Sequence, residues 1–110
     1  MKIYEKKLSK IGNSKGISIP IKVINNLKLD NIIVGLKMQD DSIIIEKIRN
    51  IKDFYNTRYP KKIKRAGSNY KLTIPTEILE ILQTNKFILM EQDGKIIIKA
   101  KKMEGKTDEN

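Results

Sequence analysis

The residues with most to offer chemically are cations, and they come in two clusters. Lys6, Lys7, Lys10 and Lys15 follow one another with no acid between them, and so do Lys61, Lys62, Lys64, Arg65 and Lys71. An acid-free run of ammonium and guanidinium groups makes a positive field that attracts a polyanion and speeds its encounter. The same run on a solvated surface would only aid solubility, so charge alone leaves both readings open. Other chemistry is excluded by what is missing. The chain has no His and no Cys, which removes disulfides, Cys/His zinc sites, Cys–His or Ser–His nucleophiles and His acid–base work. Asp40, Asp41 and Asp93 fall in turn-like sequences, where solvated acids are at home, and no metal cluster or phosphate loop accompanies them. The expectation is a protein that is not an enzyme and requires no cofactor or metal.

The elements that position the clusters must come from a small body. A chain of 110 residues suits one compact domain or two half-sized units sharing one core. Half the chain alone, about 50 residues, could bury only a marginal core, so the halves need each other or a second chain. Both halves are basic: residues 1–50 carry ten cations and five anions, residues 61–102 ten and four, within a formal net charge of +10. The longest apolar runs, Ile32–Leu36 and Phe87–Met90, are too short to span a bilayer. Met1-Lys2-Ile3-Tyr4-Glu5-Lys6-Lys7 goes straight into charge without a signal-peptide pattern. A soluble cytoplasmic protein without a membrane partner is expected.

Self-comparison reveals a repeat. Lys7-Leu8-Ser9-Lys10-Ile11-Gly12-Asn13-Ser14-Lys15-Gly16-Ile17-Ser18-Ile19-Pro20 aligns with Lys62-Ile63-Lys64-Arg65-Ala66-Gly67-Ser68-Asn69-Tyr70-Lys71-Leu72-Thr73-Ile74-Pro75, glycine on glycine and Ile-Pro on Ile-Pro. Val23-Ile24 and Leu27 match Ile78-Leu79 and Leu82, and Gln39–Ile45 matches Gln92–Ile98 after a shift of two residues. Each unit reads strand, turn, strand, short helix, strand, turn, strand. Ile17-Ser18-Ile19 and Leu72-Thr73-Ile74 alternate with the period of a half-buried strand. Gly-Asn-Ser and Gly-Ser-Asn are turn formers, because Gly and Asn tolerate positive φ. Pro20 and Pro75 end a strand and open a helix, where a missing N–H has no partner to lose. Asp40-Asp41 and Asp93-Gly94 are two-residue hairpin turns.

The units are assigned to residues 1–48 and 61–102. A connector, 49–60, holds three of the six aromatics, Phe54, Tyr55 and Tyr59, and these rings are expected to pack across the seam. Residues 103–110 are polar and patternless, and are expected to be a disordered tail.

The motif Ser9–Pro20 with its following helix, the motif Lys64–Pro75, and the hairpin Asp93–Ile98 together resemble the AbrB/MazE/SpoVT family of swapped-hairpin DNA-binding domains. The resemblance covers nearly all of the chain outside connector and tail, in two tandem copies. It implies a mostly β fold with short helices, a swapped-hairpin barrel built from two interleaved ββαββ-type repeats. It also implies that the loops before each Ile-Pro strand approach DNA. The basic pair of the MazE-like motif falls on Ser9 and Lys10 in the first unit and on Lys64 and Arg65 in the second. The chain departs from the pattern at Ser9, and at Ser18 and Thr73, where a basic residue often precedes Ile-Pro.

The expected partner is double-stranded DNA, and the expected role is transcriptional regulation at the nucleoid. Both basic fronts are expected on one face of the barrel. Lys7, Lys10, Lys15, Lys62, Lys64 and Lys71 would contact phosphates. Arg65, Asn13, Ser14, Ser68 and Asn69 would touch base edges or bond phosphates, although the four small residues also serve simply as turn formers. The two repeats are compatible with an intramolecular pseudo-dimer and equally with a homodimer. The alternative role is the antitoxin of a toxin–antitoxin pair, for which the short polar tail lacks apolar anchors.

Overall fold

Alternating β-branched and polar residues set about half of the chain into strands. The computed structural model describes residues 3–57 and 59–101, except for the side chain of Ala66; the expected tail over 103–110 lies outside the described residues. In chain order the elements are β1 (Ile3–Lys7), β2 (Ser9–Ile11), β3 (Ser14–Ile19), α1 (Ile21–Leu27), β4 (Ile33–Gln39), β5 (Ser42–Lys47) and α2 (Ile51–Asn56). They continue with β6 (Tyr59–Lys62), β7 (Lys64–Ala66), β8 (Asn69–Thr73), α3 (Thr76–Leu82), β9 (Lys86–Gln92) and β10 (Lys95–Ala100). The protein is thus mostly β with three short helices.

The helices α1 and α3 start alike. Pro20 and Pro75 stand at their N-caps with φ of −60° and −57°. The Pro20 carbonyl accepts from the amides of Val23 and Ile24, and the Pro75 carbonyl from those of Ile78 and Leu79. Both helices end on a left-handed residue, Lys28 and Gln83. Helices of seven residues are not stable alone; Val23, Ile24 and Ile78 anchor them in the core.

Strands form a six-stranded sheet, β1-β9-β10-β5-β4-β6, and a four-stranded sheet, β2-β3-β8-β7. The two halves of the chain interleave. Strand β1 pairs with β9 from the second half, and β6 pairs with β4 from the first. Ile17 faces Leu72 in the small sheet and Ile44 faces Ile97 in the large one. Both are pairs of residues that the internal alignment superposes, so the strands are arranged about a pseudo-twofold axis through these two pairs. Away from the axis, Tyr4 opposite Leu89 is mirrored by Tyr59 opposite Leu36.

A closed barrel is not formed. β1 and β6 are free edges of the large sheet, β2 and β7 of the small one. The reason lies at two corners. Only Leu8 separates β1 from β2 and only Ile63 separates β6 from β7, so one edge strand bends from the large sheet into the small one at each corner. Such bends are how stacked sheets share strands, and among the described residues no further strand bridges the edges. Leu8 and Ile63 both pack on the core. That core is Ile17, Ile19, Tyr70 and Leu72 from the small sheet, with Ile74 just beyond it, against Val34, Leu36, Ile43, Ile45, Phe87, Leu89, Ile96 and Ile98 from the large. Among the described residues no polar or charged side chain is buried.

The connector also departs from expectation. Asn50 caps α2, its Oδ1 accepting from the Asp53 amide at 2.8 Å, but the helix buries none of its residues. Phe54 and Tyr55 are 39% and 76% exposed and meet only edge to face, 5.7 Å apart. Of the three rings only Tyr59 packs against the core. Thr57 lies against β4, its hydroxyl oxygen 2.5 Å from where a Cβ on Gly35 would stand. The connector therefore crosses over the outside of β4 rather than through the seam.

Candidate nucleic-acid interface

The two basic clusters meet on the four-stranded sheet and its corners. Strands β2 and β3 are joined through Gly12-Asn13, with Ile11 opposite Ser14. Strands β7 and β8 are joined through Gly67-Ser68, with Ala66 opposite Asn69. Gly12 and Gly67 have φ of +60° and +65°, the positive value that a II′ turn requires at its first central residue. Asn13 and Ser68 thus occupy the turns, while Ser14 and Asn69 open the following strands; all four are exposed.

Antiparallel pairing of β3 with β8 sends the two tips to opposite ends of the sheet. Along the strand direction they are about 30 Å apart at the usual rise per residue. The expectation that both basic fronts share one side is corrected accordingly: they share a sheet but not an end of it. Their side chains do not all share a face either. Ile17 and Ile19 point into the core, as do Tyr70 and Leu72, so Ser18 and Lys71 point outward by alternation. Lys64 lies directly opposite Lys71 and Ser18 lies opposite it on the other flank. Lys15 has the parity of Ile17, and Lys10 is its direct partner, so these two occupy the core-side face where the hairpin projects beyond the core. Arg65 is opposite Tyr70, with its guanidinium 5.7 Å from the ring centroid and its Nε donating to the Gly67 carbonyl at 3.2 Å. Lys7 and Lys62 end β1 and β6, one residue before each corner.

Two pairs of lysines are therefore directly opposed across the strands, Lys10 with Lys15 and Lys64 with Lys71. Like charges at this spacing are destabilising. No carboxylate relieves them: among the described residues the ion pairs are Lys37–Glu46, Lys95–Glu46 and Lys101–Glu5, all away from the small sheet. The strands of the small sheet carry Lys10, Lys15, Lys64, Arg65 and Lys71 and no acid at all. Acids gather instead on the large sheet, with Glu46 held between Lys95 at 3.0 Å and Lys37 at 3.7 Å. The contact with Lys95 holds the Glu46 carboxyl below the usual carboxylate range, against the opposing effect of partial burial.

Sequence reasoning missed one member of the surface. Lys6 Nζ donates to Ser18 Oγ at 3.1 Å, carrying an ammonium group from β1 to the middle of β3. Burial lowers the Lys6 pKa from its ordinary value. Membership of Lys6 in the first cluster was visible; its contact with Ser18 depends on the corner at Leu8 and has no local signature. No protein-family model, no curated protein and no solved structure matches the chain.

Proposed function

We propose that the protein binds double-stranded DNA, with sequence-specific or semi-specific contacts, and regulates transcription. The observation that carries this reading is the small sheet itself, which has five cations, no acid and no ion-pair partner among the described residues. A folded chain that keeps opposed lysines without compensation gains from a polyanion that supplies it. Lys7, Lys10, Lys15, Lys62, Lys64 and Lys71 contact phosphates and displace counterions. Arg65 has the fork geometry for guanine, and Asn13 and Ser68 in the turns, with Ser14 and Asn69 at the strand starts beside them, reach toward base edges or phosphates. The separation of the tips, about 30 Å, approaches the roughly 34 Å of one helical turn, so the two hairpins suit successive turns on one side of a duplex.

With this function goes a swapped-hairpin, AbrB/MazE-like arrangement of two tandem repeats acting as a pseudo-dimer within one chain, working in the cytoplasm on the nucleoid. Supporting it are the interleaved pairings β1–β9 and β6–β4 and the facing of Ile17 with Leu72. The test is fluorescence anisotropy on a mixed-sequence duplex of about 30 base pairs, nearly three helical turns. Six phosphate contacts give a slope of log K against log salt near −5. A slope near zero, or binding that survives Lys64→Glu with Arg65→Glu, overturns the reading. A footprint upstream of its own coding region then tests sequence preference.

A further inference from the structure

The pseudo-twofold arrangement invites the assumption that both halves of the sheet grip DNA equally, and the side chains contradict it. Three adjacent strands place Lys64, Lys71 and Ser18 in one row on the outward face. Lys6 joins that row through its bond to the Ser18 hydroxyl. The row related by the pseudo-twofold axis consists of Ser9 opposite Gly16 and Gly16 opposite Thr73. It carries no ammonium group on its strands, and Gly16 has no room for one. A Cβ there would stand 2.2 Å from the Leu72 carbonyl oxygen and 2.8 Å from the Thr73 Cα, both backbone atoms.

We propose that Lys6, Ser18, Lys71 and Lys64 form a phosphate clamp that each chain possesses only once, so that the row around Lys71 holds a duplex phosphate and the equivalent row of Ser9, Gly16 and Thr73 does not. The inference rests on the DNA-binding reading and adds to it two residues, Lys6 and Ser18, and an asymmetry. The row from Lys64 to Ser18 spans two strand spacings, about 10 Å, and carries Lys64 and Lys71 with the Lys6 ammonium bonded at its end. Because Lys6 donates to the Ser18 oxygen, the Ser18 hydroxyl proton is free to point outward and donate to a phosphate oxygen. A phosphate also offsets the cost of holding the Lys6 ammonium partly out of water.

The experiment compares salt titrations of the full chain on the same mixed-sequence duplex. Lys6→Gln, Lys71→Gln and Lys64→Gln should each flatten the slope by about 1, as loss of one phosphate contact does. Lys61→Gln and Ser9→Ala, at the positions equivalent to Lys6 and Lys64, should leave the slope unchanged. Thermal melting of each variant separates lost binding from lost folding, and Ser18→Ala, the smallest change, provides a second route to the same clamp by weakening affinity at constant melting temperature. Equal flattening by Lys61→Gln, or full slopes in the three lysine variants while Lys10→Gln and Lys15→Gln lose theirs, overturns the asymmetric clamp but not DNA binding. Absence of salt-dependent binding by the unaltered chain overturns both.

Discussion

Ile17 and Leu72 face each other at the centre of the four-stranded sheet, each with no exposed surface. They are equivalent residues of the two halves, so one contact joins both. Truncating Leu72 to Ala should cost about 2–5 kcal/mol, because a buried cavity adds to the lost transfer energy. Ile17→Ala should cost a similar amount. The double variant should depart from additivity by at least about 0.5 kcal/mol, as for residues in direct contact. Urea unfolding of the four proteins measures this; strict additivity would show that the contact does not couple the halves.

Lys64 and Lys71 repel across β7 and β8. Lys64→Glu turns this pair into an attractive one and should raise stability by about 0.2–1 kcal/mol. The same substitution should weaken DNA binding. Melting temperature and duplex affinity should therefore move in opposite directions, and a fall in both would remove the link between the uncompensated pair and the ligand.

Two glycines should respond differently to Ala. At Gly12 nothing lies within 4 Å of the added Cβ, so the cost is that of a left-handed residue, about 1–2 kcal/mol. At Gly16 the Cβ meets backbone of β8 at 2.2 Å, and β3 must move away from Leu72. Gly16→Ala should be the more damaging, by chemical denaturation, and should loosen hydrogen-exchange protection in β3 and β8 specifically.

Acid and alkaline stability should trace to two different residues. The Glu46 carboxyl is held low by Lys95, so its contribution is complete above its unfolded value, about 4.3. It is lost as pH falls through the lower folded value. Glu46→Gln should flatten that part of the acid limb, more at low salt because the group is largely exposed. The Lys6 pKa is lowered by burial, so the unfolded chain binds more protons between the folded value and about 10.4. Stability should rise with pH across that window, and Lys6→Met should remove the rise. Melting temperature against pH for the two variants reads both effects.

Removing the cap of α2 should have a local effect only. Asn50→Ala costs the helix about 0.5–2 kcal/mol, yet α2 buries none of its residues. Hydrogen exchange should speed up around Asp53 and Phe54 while the global melting temperature stays nearly constant; a large drop in melting temperature would give the connector a structural role it does not show.

What could be read in the sequence is what short stretches dictate. Glycine before a small polar residue, Asp-Gly, Ile-Pro before an apolar stripe and the Ile-Ser-Ile alternation each constrain their own φ and ψ. The turns at Gly12, Gly67 and Asp93 and the helix starts after Pro20 and Pro75 accordingly fall where the residues place them. The basic clusters were equally visible, since charge is a property of composition. Burial pairs strands that are distant in sequence, and no local pattern encodes the partner. The tertiary structure alone decided that β3 runs antiparallel to β8, that the two tips therefore point apart, and that the sheets turn corners at Leu8 and Ile63 instead of closing. It also decided that Lys6 reaches Ser18, that Thr57 lies over Gly35 and that Phe54 and Tyr55 stay exposed.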